Sequence, residues 1–507
     1  MAIVDKCILH EGKSILENSS IQLEQIYNDH HKCTITTDFS NDEQLSHGDI
    51  ESLLGAFLDI QINSRGTQSG IRFIGFVDTI VPAFTQEGAM TLQIEVYAPT
   101  LQMDIMPKFR TYSATTIEQI FTDILSEYQV KVFPKLKQNG PSGLAVDYAF
   151  QAQESDFRFL LRLADRMGKT WTYDGFDLIL GELDEYAKPS TTLRYGTGEL
   201  DDLRLAINLA PLSFGVKGYV RNTDQVEEQE NEDIPNTDDL IKSAIDKSKL
   251  VYSTSWIRVN HFLHEGKLAK TIERFRSKVT HDLVALTATT SVPELTIGSV
   301  ITIENKSDRE IPMSSESRWT IIQISHHVSD TNDYVAHFLC IPAEHPFNLR
   351  SHRAGAPFTG PLIGIVEETP PANSAEAGQV KVRYLLDENE TAIWMPLVVP
   401  TTASGGVYLP PKAGERVIVM FVDNDCHSPF VLGSFYTPHL TPAAFEDRVG
   451  IISDGTVLVK AEKIIFEAQK MEMKAGVIQA IAEQEIIQQA RKKIKSNADA
   501  ILLNCKD

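Results

Sequence analysis

The sequence predicts a mainly β protein with a few helices, and three observations predict it. Short strand-like runs separated by turns fill residues 1 to about 110 and return between Asp282 and Pro342, the regular spacing of a barrel or sandwich. Thr111 to Tyr128 and Gln153 to Asp174 switch to helical spacing, but only briefly. Val417 to Val422 is apolar without a break. An Asp-Asn-Asp-Cys-His-Ser turn and a second apolar run, Phe430 to Tyr436, follow it, and the whole reads as a buried hairpin.

Taken in order, SIQLEQIY, KCTITTDF, GAFLDIQIN, IRFIGFVDTIVPAF and MTLQIEVYAP are the expected strands of the first 110 residues. In Thr111 to Tyr128, the apolar residues Ile117, Ile120, Phe121 and Ile124 predict a helix with Ser113 and Thr115 as candidate caps. In Gln153 to Asp174, Phe157, Leu160, Leu161 and Ala164 share a helix face that Ser155 can cap and Gly168 can end, and WTYDGFDLIL continues as a hairpin. The acidic run from Val226 to Asp239 predicts an exposed, flexible insertion or linker. LVALTATT, GSVITIEN, WTIIQISHHV and YVAHFLCIPA then return to strand patterning.

Composition limits the function. A chain of 507 residues suffices for about three domains with their own cores. Its 47 basic and 69 acidic residues give a net charge of -22, which repels phosphate backbones, so no nucleic-acid partner is expected. Cysteines at 7, 33, 340, 426 and 505 are odd in number and never form a Cys-x-x-Cys pair, the pattern of a reducing compartment without zinc-ribbon spacing. No 18-residue apolar run occurs, and MAIVDKCILHEG lacks the basic and apolar regions of a leader. The expectation is synthesis in the cytoplasm, with any export through a machine that needs no cleavable signal.

Hairpins are common, but the order of parts around this one is not: Trp394-Met395-Pro396, Gly405-Gly406, Pro410-Pro411-Lys412-Ala413-Gly414-Glu415, the VIVMF strand, Asp425, Pro429, then Gly433-Ser434. That order resembles the OB-like barrel of the VgrG family, the spikes of type VI secretion and related phage-tail-like contractile systems. Glu154-Ser155-Asp156-Phe157, Arg162 and Gly168 resemble the same family's hub signature, and Leu295, Gly298, Val300, His326-His327 and Phe338 to Pro342 resemble its second hub barrel. The resemblance implies two hub β-barrels with a helical insert over 1–355, an OB-like barrel over 356–440, and an intertwined trimeric β-helix or β-prism spike over 441–507. It also implies a homotrimer whose partners are the inner-tube hexamer protein, a PAAR-like tip protein, baseplate proteins, and effectors or their adaptors. Assembly would take place in the bacterial cytoplasm, before contraction exports the spike or drives it into a target cell.

No catalytic, cofactor-binding or metal residue is assigned. His30-His31 and His326-His327 are adjacent pairs, which point to opposite faces of a strand and chelate poorly, so surface or hydrogen-bonded histidines are expected. His10-Glu11-Gly12-Lys13 and His264-Glu265-Gly266-Lys267 lack the second histidine of a zincin motif, and neither a Gly-x-Ser-x-Gly elbow nor a P-loop occurs. Asp423-Asn424-Asp425 could offer oxygen ligands, but Asp and Asn suit hairpin turns for backbone reasons alone. Only 71 residues follow Tyr436, too few and too repetitive for a catalytic domain, so a non-enzymatic protein without cofactor is expected.

In that tail, Ile464, Met471, Ile478, Ile486, Ile494 and Leu502 recur every seven or eight residues between Gln, Glu, Lys and Ala. So few apolar side chains cannot build a core within one chain, and copies must share one. Ile464, Ala468, Met471, Ala475, Ile478 and Ala482 fit a heptad, whereas IIFEA and KMEMKA alternate as strands do. A β spike is the reading taken, with a coiled coil as its alternative. At the level of function the expectation is a structural spike that caps an inner tube and pierces a membrane; a receptor-binding or carbohydrate-binding tail protein is the alternative.

Overall fold

The computed structural model describes the chain except residues 1, 17, 40–50, 85–89, 129–134, 139–142, 144, 167–168, 182–189, 221–224, 232–238, 259–267, 281–282, 309–316, 344–359, 372–373, 401–406, 423–424, 439–449, 452–455, 483–485, 488 and 490–507. Two units result, Met1–Leu440 and Thr441–Asp507.

Within the first unit, the period-two runs of the N-terminal region become strands that pair in the order Ser19–Ile26, Lys32–Phe39, Met90–Tyr97, Gly70–Phe84, Phe57–Ser64, Ala2–His10. Asp333–Pro342 joins the last of these and Arg318–Val328 joins the first, which closes a ring. The same two strands belong to a second ring, continued by Val284–Thr290, Leu200–Ile207, Thr191–Tyr195 and Val300–Asn305. Two barrels therefore share a wall. Trp319 to Ile322, four buried residues in succession, lie in it, as expected of a strand covered on both faces.

Residues between the strands of the first barrel and those of the second build the helical insert. Its helix starts later than the sequence suggests: Lys108–Thr116 is a strand paired with Ala145–Glu154, and the helix runs Ile117–Ser126. Ser113 and Thr115 are consumed by that ladder, and Thr116 caps instead, its hydroxyl accepting from the Gln119 N–H at 3.2 Å. The β-branched run Thr111 to Thr116 favours extended backbone, which the helical spacing of the following isoleucines concealed. Ile117, Ile120, Phe121 and Ile124 are all buried, as their spacing predicts.

In the acidic run, residues 232–238 lie outside the described residues, and the expectation of a flexible linker is corrected for the rest. Gln225–Glu230 is a strand against Phe214–Val220, in a small α/β insert whose core is Phe214, Val216, Leu268 and Ile272, and Asp239 opens the helix Asp239–Val251, whose Ile241, Ala244 and Ile245 join the main core. Glu227, Glu228 and Glu230 tolerate a strand because its side chains remain largely in solvent.

Downstream, Leu362–Glu368, Gln379–Tyr384 and Ala392–Pro396 form a meander, Arg416–Phe421 pairs back onto the first strand, and Pro429–Ser434 pairs with Arg416–Phe421. A parallel bridge from Leu397 to Val431 closes the ring, giving the five-stranded OB-like barrel. Gly414 sits at φ +89° in the turn before Arg416, and its N–H donates to the Val366 carbonyl at 2.8 Å. A β-branched residue pays a steric cost there, so Gly414→Val should lose about 1 to 3 kcal/mol of stability. Thermal melting followed by circular dichroism checks this, and an unchanged melt would mean that the left-handed turn imposes no constraint.

In the second unit, residues 456–482 lie in neither helix nor paired strand and are exposed throughout. Ile464, Met471, Ile478 and Ile486 are 44 to 58% exposed, against 68 to 91% for Ile465, Phe466, Met473, Val477 and Ile481, so a single chain leaves the whole apolar content of this stretch uncovered. Ile494 and Leu502 fall outside the described residues.

Candidate functional site

The two stretches with the most informative motifs meet in space. A bulge in Ala145–Glu154, with Gln153 at φ +54°, shifts the register between Ala152 and Glu154. Next comes the helix Asp156–Arg166, capped by Ser155, whose hydroxyl oxygen accepts from the Arg158 N–H at 3.3 Å and donates to Asp104. Two turns into this helix, Arg162 donates from Nε to Glu154 Oε2 at 3.1 Å and from Nη2 to the second Glu154 oxygen and to the Phe150 carbonyl. Its Nη1 reaches His427 Nε2 at 2.7 Å, in the turn between the last two strands of the OB-like barrel. Burial disfavours the Arg162 charge, but Cys426, Glu154 and Asp425 more than offset it, so its pKa is raised. Glu154 is buried enough that its carboxyl is pushed up in spite of Arg162.

A second contact lies on the partner strand of the same ribbon. The Thr111 N–H donates to Asp387 Oδ1 at 2.8 Å, the Thr391 N–H holds Asp387 Oδ2 at 2.9 Å, and Asn389 Nδ2 donates to the Thr111 carbonyl at 3.0 Å. The Glu388 N–H donates to the Phe109 carbonyl, while its carboxylate accepts from Arg110 Nε at 2.9 Å. Arg110 also meets Glu127, which shares Lys108 with the buried Asp156. Between the two polar contacts is an aromatic core. Phe150 stacks on Tyr384 at 4.9 Å, Phe109 meets Phe150 edge-on at the same distance, and the Tyr148 and Tyr384 hydroxyls are 3.0 Å apart. Phe150 and Ala152 belong to the barrel's own core beside Val380, Val382, Val417 and Val431. The ribbon and the barrel thus share one packed core.

Asp423 and Asn424 lie outside the described residues. Asp425, Cys426 and His427 bring ligand atoms within 4.8 Å of one another. The donor set does not suit a cation: Arg162 already donates to His427 Nε2, and burial pushes the Cys426 thiol up to about 11. Asp425 serves the turn, as the sequence suggests, accepting from the His427 N–H at 3.2 Å.

Three of the paired histidines behave as expected. His30 Nδ1 is 2.9 Å from Thr100 Oγ1, His326 Nδ1 is 2.8 Å from the Tyr334 hydroxyl, and half-buried His327 lies 3.1 Å from Ser325 Oγ. His31 departs from expectation: it is wholly buried beside Tyr173 and Phe73, and neither ring nitrogen has a partner in hydrogen-bonding geometry. Of the two His-Glu-Gly-Lys sequences, His10 is 3.4 Å from the Phe57 carbonyl and His264 to Lys267 lie outside the described residues. Sequence reasoning missed Arg110, the Asp387 turn and His427. The Asp-Glu-Asn-Glu run from 387 to 390 was the available signal, since Asx turns cap exposed backbone N–H groups.

Comparison with known proteins agrees with this architecture. Residues 34–191 match the family described as phage tail baseplate hub (GPD), and residues 362–436 match the type VI secretion system/phage-baseplate injector OB domain. No curated protein sequence matches the chain. Among solved structures, an E. coli type VI secretion component, the c3393 protein, is similar at TM-score 0.57 and 13% identity, over 85% of this chain and 98% of that one; it is itself described as similar to the T4 tail proteins gp27 and gp5. The Francisella PdpA-VgrG complex gives TM-score 0.57 at 11% identity, covering 86% of this chain and 78% of the other. A prophage MuSo2 43 kDa tail protein from Shewanella oneidensis gives 0.51 at 16%, covering 67% and 98%.

Proposed function

We propose that this chain, which matches the baseplate hub and injector OB family models over two stretches and shares the fold of type VI and phage tail proteins, is a VgrG-like protein that acts without catalysis, as a homotrimeric spike that caps the inner tube of a contractile machine and is driven through a target membrane. The hub is taken as 1–355, the collar as 356–440 and the spike as 441–507. An inner-tube hexamer above, baseplate proteins around the hub, a PAAR-like tip below, and effectors or adaptors are the partners. Assembly belongs to the cytoplasm and export to contraction.

The observation that carries the trimer is uncovered apolar surface in two places. On the outer wall of the collar barrel, Ile363 and Ile365, Ile418 and Met420, and Phe430 and Leu432 occupy adjacent strands, with Ile363 and Leu432 44% and 48% exposed. This is why the run Val417 to Val422 is apolar at every position: one set of side chains fills the barrel and the alternate set faces out. The tail adds residues 456–482, where one chain offers no core to offset about 1 to 2 kcal/mol of backbone entropy per ordered residue. Three copies would cover both surfaces and pair the strand edges at once.

Light scattering on the full-length protein should give three times the 56.5 kDa chain mass. Deleting residues after 445 should yield a smaller or less stable species, and the pair Ile363→Glu with Leu432→Glu should weaken association further. A monodisperse full-length monomer would overturn the proposal.

A further inference from the structure

The small α/β insert carries a tryptophan that its own core does not use. Its three strands lie in the order Gln225–Glu230, Phe214–Val220, Ser255–Arg258, and the helix Leu268–Thr280 covers one face through Leu268, Ile272 and Phe275. Phe214 and Val216 fill that side, so alternation turns Gly215, Lys217 and Tyr219 to the other. The register aligns Trp256 with Gly215, and Glu228 with Lys217, on this outer face. Trp171 and Trp319 are buried, as large rings ordinarily are, whereas Trp256 is 43% exposed.

The ring is fixed where it lies. A β-carbon at position 215 would fall 2.4 to 2.8 Å from three carbons of the Trp256 six-membered ring, so only glycine lets the indole cross the central strand. Glycine weakens a strand interior, and here that cost accompanies the placing of one side chain. Lys217 sets its ammonium 4.2 Å from the ring centre and is itself held by Glu228 at 2.7 Å. Covering a bare glycine accounts for one side of the indole. It does not account for the ring surface left in solvent, or for the charged pair fixed beside it.

We propose that this face binds a neutral glycan, one pyranose ring stacking on Trp256 while its hydroxyls bond to Lys217, Glu228 and Glu230. Charge selects the ligand. Lys217 and Arg258 offset Glu228 and Glu230 on this face, in a chain of net charge -22. The whole chain repels a polyanion, and a polycation finds no local excess of carboxylates. A sugar ring presents polarised C–H groups, which suit the negative face of an indole, and a rim of hydroxyls that both donate and accept. An ammonium beside carboxylates answers both roles. Tyr219 and Val226, both exposed, continue the same face along the strands, so it suits an extended chain of sugars over a single enclosed one.

Saturation-transfer difference NMR on the full-length protein tests this, with chitohexaose and cellohexaose as neutral probes, a heparin hexasaccharide as the anionic probe and hexa-arginine as the cationic one. Saturation should reach the pyranose C–H protons of at least one neutral probe. Trp256→Ala should weaken that binding about tenfold, while Trp394→Ala in the collar leaves it unchanged. Glu228→Gln, a change of charge at an exposed position that preserves side-chain size, should weaken it about threefold and decides the matter if Trp256→Ala melts early. No transfer to either neutral probe, binding that is unaltered in Trp256→Ala and Glu228→Gln, or a preference for a charged probe would overturn the proposal. The readout needs neither a tube nor a trimer, so its failure leaves the spike function standing.

Discussion

Replacing Arg162 with alanine should destabilise the hub-collar unit by about 3 to 5 kcal/mol, the cost of breaking a buried ion pair from one side. Arg162 satisfies both Glu154 oxygens, the Phe150 carbonyl and His427. Its removal strands a carboxylate that burial already pushes toward the neutral form. Much of the loss is thus the penalty of an unpaired charge, not the net worth of the pair. The double variant Glu154→Gln with Arg162→Met should recover part of it, because no uncompensated charge remains. Chemical denaturation monitored by tryptophan fluorescence measures both; a single variant within about 1 kcal/mol of wild type would show that the junction does not depend on this pair.

How much of this was legible in the sequence depended on how local the cause was. The strands of both hub barrels could be read from period-two burial, because a strand with one covered face must alternate. Their sharing of Arg318–Val328 and Asp333–Pro342 could not, since a doubly covered strand shows only a continuous apolar run and says nothing of which two sheets cover it. The motifs at 153–174 and 394–436 were visible separately. That Arg162 would join them was not, because the contact spans 265 residues and depends on a bulge at Gln153 that no local pattern marks. The acidic run was misread for a related reason: charge density argued for a solvated linker, and tertiary pairing with Phe214–Val220 overrode it.

Acid should destabilise the first hub barrel before its carboxylates titrate. His31 and His326 are wholly buried, and each is pushed down to about 3: burial is the main cause, and neighbouring histidines add to it, while the Ile26 carbonyl near the His31 ring opposes the shift. Both rings are therefore neutral in the fold. Between pH 6.5 and 3 the unfolded chain binds a proton at each position that the folded chain refuses, so stability is complete above about 6.5 and falls as pH drops through this window. At pH 5 the loss is about 2 kcal/mol for each histidine, from about 1.4 kcal/mol per pH unit below the unfolded value. The two add because neither ring can reach solvent without opening the packing around it: His326 is held by Tyr334 and Gln25, and His31 is enclosed by Tyr173 and Phe73. His31→Leu should isolate one of them. It removes a ring whose only polar neighbour among the described contacts is the Ile26 carbonyl, too poorly placed for a well-formed hydrogen bond, so stability at pH 7.5 should stay within about 1 kcal/mol of wild type, while the fall between pH 7 and 5 should shrink by about half. Denaturation midpoints across that range would decide the matter, and parallel curves for the variant and the wild type would exclude His31 as a source of the acid sensitivity.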